Sequence, residues 1–324
     1  MSDRTTLVTG GAGFIGSHLS ESLLADGHRV VCLDNLGSGR LANVEGFRDE
    51  DRFVFVEGDV RGGIDAAIGD RVDPASIDRV YHLASRASPT DFESHPLEIA
   101  ETNTHGTRNV LEFARSVGAR VLYASTSEVY GDPTEHPQHE SYFGNVDPRG
   151  ERACYDESKR YGEMLTTVFG REFDVDVRTA RIFNTYGPRM NPTDGRVIPN
   201  FLRQALAGDD LTVYGDGTQT RSFCYVSDQV AGLRALMDAP DAAGAVVNVG
   251  STDEITINDL AEAVLETVET DSAVSFEPLP HETDPERRRP DITRARERLG
   301  WEPTVELSEG LARTATHFEK RESL

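Results

Sequence analysis

Residues 5–16 read TTLVTGGAGFIG, a short β-branched run followed by closely spaced glycines. The spacing satisfies both Gly10-x-x-Gly13-x-x-Gly16 and Gly11-x-Gly13-x-x-Gly16. Such glycines permit a tight turn, the close approach of a pyrophosphate and close packing of the next helix on the strand. The helix N-terminus then offers free N–H groups and a partial positive charge to an anion. The stretch predicts a dinucleotide-binding strand–loop–helix unit, although glycines alone would also fit a plain tight turn.

The end of the second predicted strand indicates which dinucleotide this loop would take. Asp34 follows Gly16 by eighteen residues, where a carboxylate accepts hydrogen bonds from both hydroxyls of the adenosine ribose. The same carboxylate repels a 2′-phosphate, so the sequence favours NAD over NADP. Arg40, six residues further on, could contact a phosphate, but it does not directly follow the strand.

The pattern around this unit alternates short apolar runs with helical stretches, as expected for a parallel sheet covered on both faces. The predicted strands are residues 5–8, 30–33, 53–56, 79–83, 121–124 and 177–182. The predicted helices are residues 14–26, 97–116 and 153–173. We predict an α/β fold: a doubly wound parallel sheet (Rossmann) with a smaller C-terminal substrate-binding lobe.

The texture of the chain changes after about residue 184, where turn-rich pieces separate helices and short strands. One later apolar run, residues 246–249, is expected to return to the main sheet. We assign residues 1–183 plus about 222–249 to an NAD-binding Rossmann domain. Residues from about 184 to 221, together with 250–324, are assigned to the substrate lobe.

The charge of the chain restricts its partners. It has 56 Asp and Glu against 33 Lys and Arg, a formal charge of −23 and a pI near 4.7. This excess excludes nucleic acid and anionic membranes as partners, because both require a positive surface. Only Lys159 and Lys320 are lysines, which fits either an arginine-biased genome or a halophile. An acidic, solvated surface would be stabilised by concentrated salt, so we hypothesise a salt-rich cytoplasm.

Three cysteines, Cys32, Cys154 and Cys224, lie far apart, with no spacing typical of a disulfide framework or of a metal site. They are predicted to be buried free thiols in a reducing compartment, and no metal is expected. The N-terminus has no basic-then-apolar signal, and no apolar run approaches the length of a membrane span. These features predict a soluble cytoplasmic protein.

The stretch 155–159 places Tyr155 and Lys159 four residues apart on a predicted helix, hence on one face. A phenol is a poor base at neutral pH, and a neighbouring ammonium would lower its pKa. Such pairs also occur by chance on surface helices. Here the chain keeps one of its two lysines at this position, downstream of a dinucleotide loop, which favours a catalytic pair.

The glycine pattern, Asp34 and the Tyr155/Lys159 pair resemble the extended short-chain dehydrogenase/reductase family. The resemblance runs from about residue 5 to residue 303. In that family a Ser or Thr after the fifth strand completes a triad, and Thr126 stands at that place. The resemblance implies that Thr126 orients a sugar 4-hydroxyl, Tyr155 removes its proton and NAD takes the C4 hydride. Lys159 would also hold the nicotinamide ribose.

The same resemblance implies two sets of binding residues. The NAD contacts are Gly10, Gly13, Phe14, Ile15, Gly16, Asp34, Asn35, Asp59, Val60, Leu83, Ala84, Ser85, Tyr155 and Lys159. The contacts to a UDP-sugar are Ser88, Thr126, Asn184, Arg196, Asn200, Tyr214, Gln219, Arg221 and Arg288. Arginine suits this second set because its planar fork matches phosphate oxygens.

The residues after Thr126 distinguish the reactions of the family. Dehydratases carry Asp-Glu there and epimerases carry small residues, whereas this chain has Ser127-Glu128, which resembles the UDP-glucuronate decarboxylases. Further matching segments are residues 83–85, 87–89, 152–157, 180–190, 194–197, 200–201, 211–215, 219–221 and 225–228. The resemblance implies decarboxylation of UDP-glucuronate to UDP-xylose through a 4-keto intermediate, with Glu128 or Ser127 taking part in protonation at C5. A 4,6-dehydratase, a UDP-sugar 4-epimerase and an NAD(H)-sensing module remain alternatives; the module would typically lack the Tyr/Lys pair.

Two groups of arginines leave questions open. Residues 285–290 contain Arg287, Arg288 and Arg289, the one basic cluster of the chain, which favours anion binding over a solvated turn. The resemblance gives Arg288 a catalytic role near the substrate carboxylate, but three adjacent arginines could exchange roles. Arg86 stands where the decarboxylases commonly have proline, and it would either contact that carboxylate or face solvent. Family members commonly form homodimers through two helices, here predicted as 97–116 and 153–173.

Overall fold

The computed structural model describes residues 4–278 and 287–322, without the side chains of the last two. Its strands alternate with helices through the first half of the chain. The strands are β1 (Thr5–Thr9), β2 (Arg29–Asp34), β3 (Phe53–Glu57), β4 (Ile77–His82), β5 (Arg120–Thr126), β6 (Val177–Ile182), β7 (Thr185–Tyr186), β8 (Leu211–Tyr214), β9 (Thr220–Ser222), β10 (Cys224–Tyr225), β11 (Val246–Val249), β12 (Glu254–Thr256), β13 (Val274–Glu277) and β14 (Arg287–Arg288).

Helices cover both faces of the main sheet, and further helices lie in the later part of the chain. They are α1 (Phe14–Ala25), α2 (Ile64–Ile68), α3 (Pro89–Ser94), α4 (Pro96–Glu101), α5 (Thr107–Val117), α6 (Ala153–Phe173), α7 (Val197–Ala207), α8 (Val226–Asp238), α9 (Ile257–Val268), α10 (Thr293–Leu299) and α11 (Leu307–Glu322).

The main sheet has seven strands in the order β11-β6-β5-β4-β1-β2-β3, and every pairing is parallel. Leu7 at its centre pairs with Val31 on one side and Val80 on the other, and all three are fully buried. Such continuous apolar strands are expected where helices cover both faces. The predicted doubly wound fold is confirmed, and the 246–249 strand joins this sheet next to β6.

One predicted helix is interrupted. The stretch predicted as a single helix over 97–116 consists of α4, a π-helical turn over Thr102–Gly106 and then α5. Thr104 and Thr107 donate hydroxyl hydrogen bonds to carbonyls four residues earlier, a pattern that bends helices. Gly106 also packs so tightly on Val60 that an added Cβ would lie 2.6 Å from its methyl. The spacing of apolar residues in the sequence, from which one helix was predicted, does not reveal these hydrogen bonds or this close packing.

The later part of the chain builds three small sheets, β12-β9-β14, β13-β8 and β10-β7, around α7, α9 and α11. The division into two domains stays a prediction, and α10 and Trp301 link the two predicted parts. α10 packs on β11 and α8, and the Trp301 indole donates to the Asp228 carbonyl at 3.1 Å. The predicted lobe also includes residues 279–286 and 323–324, and the predicted domain residues 1–3, which lie outside the described residues.

All three cysteines are unpaired as predicted; Cys32 and Cys224 are buried, whereas Cys154, in the first turn of α6, is only half-buried. Among residues 4–278 and 287–322, no three His, Cys, Asp or Glu side chains are grouped to hold a metal ion. None of the helices in this part of the chain is long and apolar enough to cross a membrane.

Candidate active site

One large cavity, about 1120 Å³, opens at the carboxyl ends of the parallel strands, where open α/β sheets bind ligands. All of the site residues predicted from the sequence line it. They are Gly10, Gly13, Phe14, Ile15, Gly16, Asp34, Asn35, Asp59, Val60, Leu83, Ala84, Ser85, Ser88, Thr126, Ser127, Glu128, Tyr155, Lys159, Asn184, Arg196, Asn200, Tyr214, Gln219, Arg221 and Arg288. The fold thus brings together residues that are up to 278 positions apart.

The glycine loop between β1 and α1 forms one end of the cavity, and its backbone leaves no room for side chains. Gly10 has a φ of +71°, and a Cβ there would lie 2.8 Å from the Ala84 nitrogen. At Gly16 an added Cβ would lie 2.1 Å from the Gly10 carbonyl oxygen. The loop therefore needs glycine for its conformation and for close packing.

Asp34 ends β2 beside this loop and is almost fully buried. Its carboxylate accepts hydrogen bonds from the Ala12 N–H at 3.0 Å and the Leu36 N–H at 2.8 Å. Burial raises the pKa of Asp34, and the backbone N–H groups oppose that rise. A third neighbour, Gly39, lies so close that a Cβ would stand 2.7 Å from the carboxylate oxygens. A carboxylate is thus fixed at the place where a dinucleotide presents its ribose.

Asp59 follows β3 and reinforces this end of the cavity. Asn35 donates to its Oδ2 at 2.9 Å, and the Arg61 guanidinium donates to both carboxylate oxygens at 2.8–3.1 Å. Burial opposes ionisation of Asp59, but the Arg61 hydrogen bonds outweigh it and lower its pKa to about 2. This end is therefore acidic, with Asp34 and Asp59 on neighbouring strands.

The proposed triad lies where β5 meets α6. Thr126 ends β5 and accepts from the Glu128 N–H at 3.2 Å, and its side chain is close enough to Tyr155 to oppose the rise in the pKa of that phenol. Lys159 stands one helical turn after Tyr155 and donates to the Ala124 carbonyl at 2.9 Å. Its ammonium lies 5.8 Å from the centre of the Tyr155 ring. The predicted pairing on one helix face is therefore present.

The expected lowering of the Tyr155 pKa by the neighbouring ammonium is wrong. Burial raises the pKa of Tyr155 to about 12, and only the hydrogen bond from Thr126 and the more distant Arg196 oppose this rise. Burial likewise lowers the pKa of Lys159 to about 7. The Lys159 ammonium is turned to a backbone carbonyl rather than to the phenol oxygen. Desolvation thus dominates both groups.

Glu128 is held between two guanidinium groups in the wall of the cavity. Arg152 binds one carboxylate oxygen at 2.5 Å, and Arg288 binds the other. Burial disfavours the charge on Glu128, but Arg152, Arg288 and Arg221 outweigh it and lower its pKa to about 2. Glu128 is therefore a carboxylate at neutral pH, which excludes it as a proton source in this arrangement.

The strand β14 distinguishes the three adjacent arginines. It pairs with β9, Arg288 opposite Arg221, and successive side chains of a strand point to opposite faces. Arg288 is 4% exposed and faces Glu128, whereas Arg287 and Arg289 face Glu254 at 3.7 and 4.0 Å. Only Arg288 of the three lines the cavity. The part of the 285–290 cluster before Arg287 lies outside the described residues.

The end of the cavity away from the glycine loop also contains the other residues that were predicted to bind a sugar nucleotide. Arg196 donates to the Ala87 carbonyl at 2.7 Å and lies 3.6 Å from the Asp194 carboxylate. Gln219 donates to the Tyr214 carbonyl at 3.1 Å, which ties two predicted contacts together. Among the described residues eight acidic and eight basic side chains line the cavity, against 56 and 33 in the whole chain. The cavity is thus balanced in charge inside an acidic protein.

Arg86 neither faces solvent nor stands ready for an anion. Its side chain is 15% exposed and donates to Asp91 at 3.0 Å and to Glu98 at 3.2 Å. These carboxylates belong to α3 and α4, so Arg86 fastens both helices to the loop after β4. Its charge is already matched twice, which disfavours the predicted contact with a substrate carboxylate.

Two residues of the site had no predicted role. Arg152, at the start of α6, is the second partner of Glu128. Its spacing of three residues from Tyr155 is a sequence signal that predicts both side chains on one face of the helix. Phe92 stacks on the Tyr155 ring with a centroid distance of 5.0 Å. Nothing local in the sequence indicates that contact, because α3 and α6 meet only in the fold.

The chain matches known proteins over nearly its whole length. Residues 6–250 match the model of the NAD dependent epimerase/dehydratase family. The chain is 48% identical over 316 residues to UDP-glucuronic acid decarboxylase 1 of Danio rerio, covering 97% of this chain and 72% of that protein. An epimerase from Methanothermobacter thermautotrophicus superposes with a TM-score of 0.90 at 32% identity, covering 99% of this chain and 94% of that one. UDP-glucuronic acid 4-epimerase from Bacillus cereus, in complex with UDP-glucuronic acid and NAD, gives a TM-score of 0.86 at 28% identity, covering 98% and 99%.

Proposed function

The chain belongs to the NAD-dependent epimerase/dehydratase family, and on this premise we propose that it decarboxylates UDP-glucuronate to UDP-xylose. The sugar is oxidised at C4, loses its C6 carboxylate as CO2 and is reduced again at C4. The reaction has no net change in oxidation state, so the cofactor is recycled within each turnover. Sequence relatives with the decarboxylase name and the carboxylate–arginine wall of the cavity support this choice.

NAD fits the acidic end of the cavity. Gly10 lacks a Cβ and therefore packs closely on the Ala84 backbone, which shapes the glycine loop that would take a pyrophosphate, and Asp34 presents carboxylate oxygens that suit ribose hydroxyls and repel a 2′-phosphate. Asn35, Asp59 and Val60 would complete the adenosine side. When bound, NAD supplies the acceptor and donor of the C4 hydride and, in its oxidised form, a positive charge that favours phenolate.

Tyr155, Thr126 and Lys159 act on the C4 hydroxyl. Thr126 and Tyr155 both line the cavity, so a sugar hydroxyl that binds both side chains would be oriented for loss of its proton to the phenol oxygen. Lys159, whose ammonium lies 5.8 Å from the centre of the Tyr155 ring, would favour the phenolate by its charge rather than by a hydrogen bond to the phenol oxygen. Tyr155 returns the same proton when C4 is reduced, so the tyrosine is unchanged after a turnover.

Arg288 and Glu128 act at the carboxylate side of the sugar. A ketone at C4 makes the C6 carboxylate a β-keto acid, and its loss as CO2 leaves an enolate that needs a proton at C5. Arg288 lies on the wall beside Glu128, and its Nε has no hydrogen-bond partner among the described residues, so it would hold the carboxylate before it leaves. Asn184, Arg196, Asn200, Tyr214, Gln219 and Arg221 would hold the nucleotide.

The carboxylate–arginine wall of the cavity, formed by Glu128 with Arg152 and Arg288, is the observation that carries the proposal. A 4,6-dehydratase needs an acid at the position of Ser127, whose hydroxyl cannot serve as that acid. A 4-epimerase is favoured by one observation, the fold shared with a UDP-glucuronic acid 4-epimerase. That fold is common to both reactions, so product analysis has to separate them.

The assay supplies purified protein with UDP-glucuronate and NAD in concentrated KCl. We expect CO2 release and a product with the mass of UDP-xylose. A sugar acid of unchanged mass but inverted at C4 would identify an epimerase instead. Turnover of dTDP-glucose to a 4-keto-6-deoxy sugar, without CO2 from UDP-glucuronate, would identify a dehydratase.

The exposed apolar side chains on α4 and α6 support a homodimer. Leu97 is 79% exposed, and Tyr161 and Met164 are 42% and 46% exposed on the neighbouring helix. Covering this surface with a second copy would bury it. Light scattering should give a dimer, and Leu97→Glu with Met164→Glu should give a monomer. Phe276→Glu, which changes an exposed phenylalanine elsewhere, should leave the dimer intact; a monomeric wild type would contradict the assignment.

A cytoplasm rich in salt is the proposed setting. The formal charge of −23 repels itself in dilute buffer, and at about 1 M salt the Debye length falls to roughly 3 Å. The unpaired cysteines support a reducing compartment. The melting temperature should rise strongly from dilute buffer to molar KCl, and equal values in both would contradict a halophilic origin.

A further inference from the structure

Asp156, the residue after Tyr155, is a buried carboxylate with an unsatisfied oxygen. It is 7% exposed, does not line the cavity, and its Oδ1 has no hydrogen-bond partner within residues 4–278 and 287–322. Other buried carboxylates are satisfied: Asp34 and Asp194 accept from backbone N–H groups, and Asp228 accepts from Thr304 and Val305. Buried polar atoms normally have partners, so this carboxylate oxygen is unusual, and it is free to accept a hydrogen bond or a proton.

The neighbours of Asp156 explain why its oxygen is left over. Arg152 stands one helical turn earlier on α6, and the charges of Glu128, on the β5–α6 connection, and of Arg288, on β14, also act on Asp156. Both arginines are bound by Glu128. On the solvent side of α6, Glu157 pairs with Arg160 at 3.6 Å. Asp156 and Glu128 are thus two buried carboxylates near the same two guanidinium groups, and both guanidinium groups bind Glu128.

This sharing decides where a proton resides near neutral pH. Burial, and then the charge of Glu128, raise the pKa of Asp156 to about 7, whereas the pKa of Glu128 is lowered to about 2. Glu128, which both arginines bind, is the ionised member of the pair, and Asp156 holds the proton. The proton thus lies behind the catalytic tyrosine, close to Glu128.

The proposed reaction needs such a proton. When the C6 carboxylate leaves as CO2, the C5 carbon keeps the bonding electron pair and gains a proton, so each turnover consumes one proton. Tyr155 cannot supply it, because the proton it removes from the 4-hydroxyl returns to O4 in the final reduction. Glu128 cannot supply it unaided, because it is a carboxylate bound to two arginines.

We propose that Asp156 is a positioning residue for protonation at C5: as Arg152 moves from Glu128 to Asp156, the Asp156 proton passes to Glu128, and Glu128 delivers it to C5. The inference rests on the proposed decarboxylase function. Asp156 is left as a carboxylate paired with Arg152, and solvent restores its proton before the next turnover. The protons balance, because the one proton that C5 gains is the one that Asp156 loses and solvent replaces. The charges balance, because Arg152 pairs with whichever of Glu128 and Asp156 is ionised.

Single-turnover kinetics of the holoenzyme with UDP-glucuronate test this. Oxidation at C4 raises the near-ultraviolet absorbance of reduced nicotinamide, and completion of the cycle removes it. In Asp156→Asn the rise should stay within about twofold of wild type, and the decay should slow at least about tenfold, since a proton relay contributes on that order or more. The matched control is Glu157→Gln, the adjacent carboxylate whose side chain is 42% exposed; it should behave like wild type. Asp156→Glu, which keeps a titratable carboxyl, should restore most of the decay.

The outcomes separate this role from others. A merely structural Asp156 would disturb Tyr155, so a slower rise with an unchanged decay overturns the proposal. The wild-type decay should slow as the pH rises from about 6 to about 8, and this dependence should be weaker in Asp156→Asn than in Glu157→Gln, both of which retain Lys159. Should Asp156→Asn not fold, a pH-independent decay in the wild type overturns the proposal. Absence of CO2 from wild type refutes the decarboxylase function instead.

Discussion

The two ends of the cavity are built by different means. At the cofactor end, backbone atoms set the shape: Gly10 approaches Ala84 so closely that a single Cβ would collide, and Asp34 is fixed by N–H groups a few atoms away. At the sugar end, charged side chains from distant parts of the chain meet. Arg288 reaches Glu128 from 160 residues away.

Because of this difference, the two ends of the cavity should be sensitive to different kinds of substitution. The cofactor end depends on excluded volume, so any added atom should weaken it. The sugar end depends on the balance between carboxylates and guanidiniums, so a change of charge at constant volume should weaken it. Tyr155 stands where the two ends meet, between Thr126 and Lys159. Substitutions at the junction, at the sugar end and at the cofactor end should therefore fail in different measurements.

The largest effect is expected at the junction. Tyr155→Phe removes the phenol oxygen that exchanges a proton with the 4-hydroxyl but keeps the ring that stacks on Phe92. We expect kcat to fall on the order of 10²- to 10⁴-fold, the usual contribution of a general base. Binding of NAD and of UDP-glucuronate, followed by calorimetry, should change little. Tyr161→Phe, an exposed tyrosine on the same helix, serves as the control and should retain full turnover.

At the sugar end the next largest effect is expected for Arg288→Met. Breaking a buried ion pair costs about 3–5 kcal/mol, and Arg152, which remains on Glu128, offsets part of it. We expect kcat/KM for UDP-glucuronate to fall on the order of 10²-fold, with NAD affinity within about threefold of wild type. Arg287→Met, on the same strand but facing Glu254, should have little effect on either quantity. Equal losses in the two variants would refute the assignment of Arg288.

The comparison also explains how far the sequence alone leads. The strands and the glycine loop are predictable because apolar runs and close glycine spacing are local signals of backbone shape, and the strand over 177–182 is found with the same bounds. The resemblance to a family then assigned sugar-end residues that no local pattern identifies. The contacts that it did not assign are long-range ones, namely Arg152 on Glu128, Phe92 on Tyr155 and the carboxylates that hold Arg86.

Burial is the second reason for incomplete prediction. A Tyr and a Lys four residues apart predict mutual stabilisation in water, but in the fold desolvation raises the pKa of one and lowers that of the other. Among the three adjacent arginines, only the pairing of β14 with β9 decides which side chain is buried. The exposure of a side chain to solvent depends on the folded molecule, so it cannot be predicted from the spacing of residues in the sequence.

At the cofactor end, Gly10→Ala should have a moderate effect. A side chain at positive φ costs about 1–2 kcal/mol, and the contact with Ala84 adds to that cost. We expect NAD affinity to fall about tenfold or more and the free energy of unfolding to decrease. Gly118→Ala is the matched control, because Gly118 has the same φ of +71° with no atom within 4 Å of an added Cβ. It should lose stability alone; a loss of NAD affinity there would show that backbone strain, and not excluded volume, governs the loop.

The smallest effect is expected at Arg86, which lies between the two ends. Arg86→Gln removes the partner of two half-buried carboxylates, Asp91 and Glu98, and should cost about 1 kcal/mol of stability, since pairs with partial solvent access contribute little more. Because those carboxylates already match its charge, the KM for UDP-glucuronate should change less than about threefold. Thermal melts and steady-state kinetics measure the two quantities on the same variant. A rise in KM above about tenfold with unchanged stability would place a substrate carboxylate on Arg86, and the sugar end would then extend past Arg288 across the cavity.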